Sequence, residues 1–145
     1  MGHVNDPKVI DRLMNTPGRW AVVGLSQNHW RSAYSVAEFL RDELEQQIIP
    51  VNLRAEDVLG EKGYAKLADI PPELHPIDVV DCFVNSQRVG DVIDQAIAVG
   101  AKAVWLQLGV IDEAAAERAK AAGLDVVMNA CPAQEAWRHT QRRHV

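Results

Sequence analysis

Between Trp20 and Ser35 a short apolar run, Trp20-Ala21-Val22-Val23, stops at Gly24. A polar segment follows, Ser26-Gln27-Asn28-His29-Trp30-Arg31, and a helical pattern begins near Ser32. This order predicts a strand, a loop and a helix. In that geometry a parallel strand delivers the loop to the carboxyl edge of a sheet, and the next helix presents unpaired N–H groups and a partial positive charge to an anion. Gly24 is suited to a sharp turn or to close approach by a ligand. The dinucleotide fingerprint Gly-x-Gly-x-x-Gly is incomplete, because Ser26 and His29 stand where its second and third glycines belong. Gly24 alone therefore fits both a phosphate loop and an ordinary turn at a strand end.

The same alternation continues along the chain. Asp6-Pro7 reads as the N-cap and first residue of a short helix with Val9, Ile10, Leu13 and Met14 on one face. An amphipathic stretch runs from Ala33 to Gln47, with Val36, Ala37, Phe39, Leu40 and Leu44 near a 3.6-residue period. Ile48 to Leu53 reads as a second strand. Pro50 inside it cannot donate to a ladder and points to a strand start, an edge position or an early strand end. Arg54 to Leu74 has no clear apolar period and reads as a long connection, with a helical turn near Ala65–Pro71 and a minor strand near Tyr64. Strands are then expected at Ile77–Val84, Ala103–Leu108 and Leu124–Met128. Helices are expected at Gln87–Val99, Asp112–Ala122 and Gln134–Arg142, with Gly100 and Gly123 as stops and Asn129-Ala130-Cys131-Pro132 as a turn.

Strands that are apolar throughout suit a parallel sheet covered on both faces. Right-handed crossovers then give an α/β, doubly wound, mostly parallel five-stranded sheet of Rossmann-like type. The 145 residues suit one domain over residues 1–145. A hydrophobic content of 48% is ordinary for a soluble globular chain, and no run approaches the roughly 18 apolar residues of a membrane span. The polar N-terminus lacks a signal peptide's apolar stretch, so a cytoplasmic location is expected. A net charge of −5 argues against a general nucleic-acid binder. Cys82 and Cys131 are too far apart for a Cys-x-x-Cys site, and the five histidines lack zinc-type spacing. His139 and His144 lie in a polar tail beside Arg138, Arg142 and Arg143 and read as solvated.

Ligands of such sheets bind beyond the carboxyl ends of the strands, where strand order reverses. The strand ends place Gly24, Leu25 and Ser26, then Asn52, Leu53 and Arg54, then Phe83, Val84 and Asn85, then Gln107, Leu108 and Gly109, and finally Asn129, Cys131 and Pro132 along that edge. The groups offered are glycine backbone, hydroxyl, amide and guanidinium, with few carboxylates, which suits an anion. A dinucleotide site usually carries an acid at the end of the second strand. Here Asn52 and Arg54 take that place, while Glu56 and Asp57 would have to fold back. An amide and a guanidinium suit a ribose phosphate, as in NADP or in coenzyme A.

The chain resembles the small single-domain CoA-binding proteins of bacteria and archaea, whose domain is similar to the nucleotide-binding domain of the succinyl-CoA synthetase α subunit. The resemblance is carried by Ala21–Ser26, Ile49-Pro50-Val51-Asn52, Gly60-Glu61-Lys62, Leu67–Pro71, Ala101–Gly109, and Val126-Val127-Met128 followed by Cys131-Pro132. It implies coenzyme A or an acyl-CoA as ligand, with the pyrophosphate on the loop from Gly24 to Ser32. Ser26 and Arg31 would contact phosphate, and Asn52 and Arg54 would lie near the adenosine phosphate. Phe83, Val84 and the Gln107-Leu108-Gly109 turn would flank the pantetheine arm or the adenine. The last turn departs from the family pattern, with Asn129-Ala130 where relatives often carry Asp-Arg and Ala133 where they often carry lysine.

No nucleophile–base pair stands out, so a stand-alone CoA-binding module is expected rather than an enzyme. The alternatives are an NADP-binding protein or a partner subunit of a multi-chain acyl-CoA ligase. A third reading pairs the thiol of CoA with Cys131. Homodimerisation and a separate protein partner are left open. Asp78 and Asp81, three apart on a strand, point to opposite faces and do not make a shared proton site. Cys82 and Trp105 read as core, and Trp30 as either a stacking platform or a shield for the loop.

Overall fold

The computed structural model describes residues 2–143, with side chains through residue 138. The solvated-tail reading of His139 and His144 lies outside these described side chains.

The first helix, α1 (Pro7–Asn15), begins as its sequence requires. The Asp6 carboxylate accepts from the Lys8 amide, Pro7 is the first helical residue, and Ile10, Leu13 and Met14 are buried. The strand β1 (Arg19–Val23) follows, then α2 (Ser32–Asp42) and β2 (Gln47–Val51). A long connection contains single 3-10 turns at Leu67–Asp69 and Pro72–Leu74, and Tyr64 forms a parallel bridge with Val51. The remaining elements are β3 (Val79–Cys82), α3 (Val89–Ala98), β4 (Ala103–Leu106), α4 (Glu113–Ala121), β5 (Asp125–Val127) and α5 (Pro132–Arg143).

The strands are ordered β2-β1-β3-β4-β5, and all four pairings are parallel. The fold is thus a single doubly wound α/β domain, with the reversal of strand order between β1 and β3. Alternate residues of each strand face opposite layers. Trp20, Val22, Ile48, Val79, Trp105 and Val127 pack with α1 and α2, joined by Ala136 of α5. Ala21, Ile49, Val80, Cys82, Val104, Leu106 and Val126 pack with α3, α4 and Leu67. Trp20 and Trp105 meet across β3 with ring centroids 5.5 Å apart, and Trp105 Nε1 donates to the Ala130 carbonyl at 3.0 Å.

Several strands and α3 are a few residues shorter than the sequence expectation, and two further boundaries differ for a local reason. The amphipathic pattern to Gln47 overshoots, because α2 ends at Asp42 and Glu45 adopts a left-handed φ of 57°. Gln46 then turns inward, and its Nε2 donates to the carbonyls of Leu13, Met14 and Thr16 at 3.1–3.2 Å. It thereby satisfies the free carbonyls at the end of α1. The Cys131-Pro132 pair is not all turn, since Pro132 opens α5. Pro50 is accommodated because β2 is an edge strand.

Candidate functional site

At the switch point, the backbone leaving β1 cannot continue straight. Gly24 has a φ of +100°, and its amide still donates to the Val51 carbonyl at 2.8 Å. The Phe83 carbonyl fills the space where a Cβ would stand, 2.5 Å away. The glycine is therefore required by the close approach of the segment leaving β3. The loop that follows is organised by its own short side chains. Ser26 Oγ accepts from the Asn28 amide at 3.2 Å, Asn28 Oδ1 accepts from the Trp30 amide at 3.1 Å, and the Asn28 carbonyl accepts from the Arg31 amide at 3.2 Å. Gln27 ties the loop to the Asp57 carbonyl at 2.8 Å. Arg31 occupies the N-cap of α2 without a side-chain cap, so the helix start at Ser32 and Ala33 keeps free amides.

Two cavities open along this edge. The larger, about 1020 Å³, lies above β1, β2 and β3. It gathers Gly24, Ser26, Asn28, Arg31, Arg54 and Lys66, and also Val84, Asn85 and Arg88. Among the described residues, Arg31, Arg54, Lys66 and Arg88 make no ion pair with protein carboxylates. Glu56 and Asp91 also line the cleft, so Glu56 does fold back as its position in the sequence would require. The smaller cavity, about 410 Å³, lies between α2 and the end of β4. Gly24, Arg31 and Phe83 line both, so the two are halves of one continuous edge.

The residues expected from the sequence are brought together unevenly. Gly24, Ser26, Arg31, Asn52, Arg54, Phe83 and Val84 line the larger half; Ser32, Gln107 and Cys131 line the smaller. Leu25 does not, because its side chain is fully buried in the core. Gly109 instead shapes the turn after β4, with a φ of 79° and its amide donating to Asn129 Oδ1 at 2.7 Å. Pro132 is buried at the start of α5, away from both cavities.

Asn52 lines the larger half, but its side-chain amide is engaged within the protein. Its Nδ2 donates to the Leu25 and Glu56 carbonyls at 3.0 Å each, and its Oδ1 accepts from the Arg54 and Glu56 amides at 3.2 and 2.8 Å. The amide is thus a brace between the two loops, and its groups are spent before any phosphate arrives. Sequence reasoning missed Lys66 and Arg88. Arg88 was findable, as it is the N-cap of α3 at the end of the β3 loop. Lys66 had no local signal, because it reaches the site only through the bridge of Tyr64 to Val51.

Beneath the smaller cavity lies a buried polar pair. Gln107 Nε2 donates to Asp81 Oδ1, and among the described residues Asp81 Oδ2 has no partner. Burial pushes the Asp81 carboxyl up to about 7, against the lowering effect of the Gln107 bond. Burial, and then the nearby Asp81 charge, push the Cys82 thiol well above its ordinary range, so Cys82 is an inert core residue. Asp78 stands apart at the sheet's other end, accepting from the Arg19 amide at 2.8 Å and facing Lys102 at 3.5 Å. Trp30 is 97% exposed, which excludes its reading as a shield packed on the loop. Among the described residues no cluster of histidine, cysteine and carboxylates could hold a metal ion, and no helix is long and apolar enough to cross a membrane.

A family model described as "CoA binding domain" matches residues 18–136. The uncharacterized protein YneT of Bacillus subtilis (strain 168) is 32% identical over 122 residues, covering 84% of this chain and 87% of YneT. The structure of a hypothetical protein from Pyrococcus horikoshii OT3 is similar at 33% identity and a TM-score of 0.83, covering 95% of this chain and 98% of that one. The dinucleotide-forming acetyl-coenzyme A synthetase 1 of Ca. Korarchaeum cryptofilum matches at 26% identity and a TM-score of 0.68, covering 83% of this chain and 28% of the synthetase.

Proposed function

The chain belongs to the CoA binding domain family, and on that premise we propose that it binds coenzyme A or an acyl-CoA across the carboxyl edge of its sheet. The pyrophosphate sits on the loop from Gly24 to Ser32, against the uncapped start of α2. One observation carries this reading. Four cations without protein ion-pair partners, Arg31, Arg54, Lys66 and Arg88, line one cleft beside that helix start in a chain whose net charge is −5. Such a concentration suits a ligand with separated phosphates.

The residues present fit the ligand. The cleft volume lies at the upper end of the range of about 300–1,000 Å³ usual for ligand sites. Ser26 offers a hydroxyl and Arg31 a guanidinium at the loop, while Arg54 and Lys66 offer charge on the β2 side for the ribose phosphate. Coenzyme A supplies the thiol chemistry when bound; the chain's own residues bind and orient it.

A second reading is favoured by one comparison. The chain matches only 28% of a much longer acetyl-coenzyme A synthetase. A separate chain could supply the remainder, making this protein the CoA-holding subunit of an acyl-CoA ligase. Co-purification with a second, nucleotide-binding subunit would support that reading.

Isothermal titration with CoA, with NADPH and ATP as controls, tests the proposal. Saturable CoA binding stronger than either control is expected. No CoA binding at millimolar ligand would overturn it.

A further inference from the structure

The smaller cavity differs in chemistry from the cleft it adjoins. Its inner wall is apolar: Ala33 is 2% exposed, Val36 6% and Val110 8%, with Phe83 between them. Among the described residues no carboxylate lines it, and the one cation that does, Arg31, stands where it joins the larger cleft. At its rim Trp30 is 97% exposed and Leu108 51% exposed. Single exposed apolar side chains are common on protein surfaces. Two large ones on the rim of one apolar cavity, continuous with a phosphate-type cleft, are a surface that an apolar ligand would cover.

We infer that this cavity receives the acyl group of an acyl-CoA, and that it selects short apolar acyl groups over free CoA and over carboxylated ones. The inference rests on the reading that the larger cleft takes the nucleotide end. With phosphates on the Gly24–Ser32 loop, the arm of the ligand passes Gly24 and Phe83, the residues common to both halves, and its thioester end arrives beside Leu108 and Val110. A methylene chain there leaves water for contact with Val36, Val110 and Trp30. A terminal carboxylate would lose its hydration against the same wall, with Arg31 already engaged at the phosphates. Gln107, held by its bond to Asp81, offers the one fixed side-chain amide in the cavity and suits the thioester carbonyl or an amide of the arm.

Titration of the wild-type chain with CoA, butyryl-CoA and succinyl-CoA tests this. Butyryl-CoA is expected to bind about tenfold tighter than CoA, the scale of burying roughly two methylene groups. Succinyl-CoA is expected to bind no tighter than CoA. Leu108→Glu should bring the butyryl-CoA to CoA affinity ratio close to one. Trp30→Ala, at a side chain exposed enough to leave folding intact, should lower the ratio about threefold. Equal affinities for butyryl-CoA and CoA in the wild type, or a preference that survives both substitutions, would overturn the inference while leaving CoA binding in place. Failure of all three ligands to bind would overturn the CoA reading itself and the inference with it.

Discussion

The Phe83 carbonyl oxygen lies 2.5 Å from where a Cβ on Gly24 would stand, and Gly24 is held at a φ of +100°. The segments leaving β1 and β3 therefore meet backbone to backbone at the bottom of the crevice. Gly24→Ala adds both a left-handed strain and a clash with backbone that cannot swing away. A loss of about 2–4 kcal/mol in urea unfolding is expected. Gly60→Ala, also at positive φ but with nothing within 4 Å of its Cβ position, should cost only about 1 kcal/mol. Equal costs at the two sites would show that φ alone, and not the approach of Phe83, sets the requirement.

Arg31 stands at the N-cap of α2 and lines the cleft, and among the described residues its guanidinium makes no ion pair. Arg31→Ala should weaken CoA binding by about 1–3 kcal/mol through loss of a charge-assisted phosphate contact. The loss should shrink as salt is raised, because the site is open to solvent. Titration at low and high ionic strength checks both. Unchanged affinity would return Arg31 to the ordinary surface.

Asn52 serves as a brace, which predicts a particular failure. Asn52→Asp keeps an acceptor for the Arg54 and Glu56 amides but turns a carboxylate oxygen toward the Leu25 and Glu56 carbonyls, where Nδ2 now donates. The variant should lose about 2–3 kcal/mol of stability and should gain no affinity for NAD, although an acid at this strand end is the usual ribose reader. Acquired NAD binding in a fully stable variant would restore Asn52 as a ligand-reading position.

Asp81 gives the fold a pH dependence of definite sign. Its carboxyl is pushed from the ordinary 3.8 up to about 7 by burial. Between those values the folded chain keeps a proton that the unfolded chain has released. Stability from this group is therefore fully present below about pH 4 and falls as pH rises toward 7, by about 4 kcal/mol in all. Asp81→Asn keeps an acceptor for Gln107 without the charge. Urea midpoints at pH 5 and pH 8 should differ less for the variant than for the wild type, and the variant should be the more stable at pH 8. Identical pH slopes would contradict the buried, proton-holding carboxyl.

Much of this architecture was legible in the residues. Strands apolar on both faces, such as Trp20–Val23 and Ala103–Leu106, admit little other than a parallel sheet between helical layers. Pro50 left an edge position among three readings of β2, and β2 is an edge strand. The strand-end rule placed Gly24, Arg54, Phe83 and Gln107 along one edge because backbone direction alone delivers them there, whereas Arg31 came from the family resemblance. What escaped depends on contacts between distant segments. Gln46 ended the helical pattern early because three carbonyls of α1 and its exit needed a donor. Lys66 entered the cleft only because Tyr64 bridges to Val51. Asn52 had the right place for a reader, but the loops on either side of it claimed its amide. Leu25 sat in the loop after β1 while its side chain filled the core.

Whether the CoA pyrophosphate rests on the Gly24–Ser32 loop, as proposed, can be seen directly. A crystal structure of the protein with CoA bound tests it most directly. The pyrophosphate is expected at the start of α2 within hydrogen-bond distance of Ser26 or Arg31, the adenosine toward Arg54 and Lys66, and the thiol end toward Leu108 and Val110. A pyrophosphate bound away from that loop, or a CoA running in the opposite direction along the edge, would contradict it.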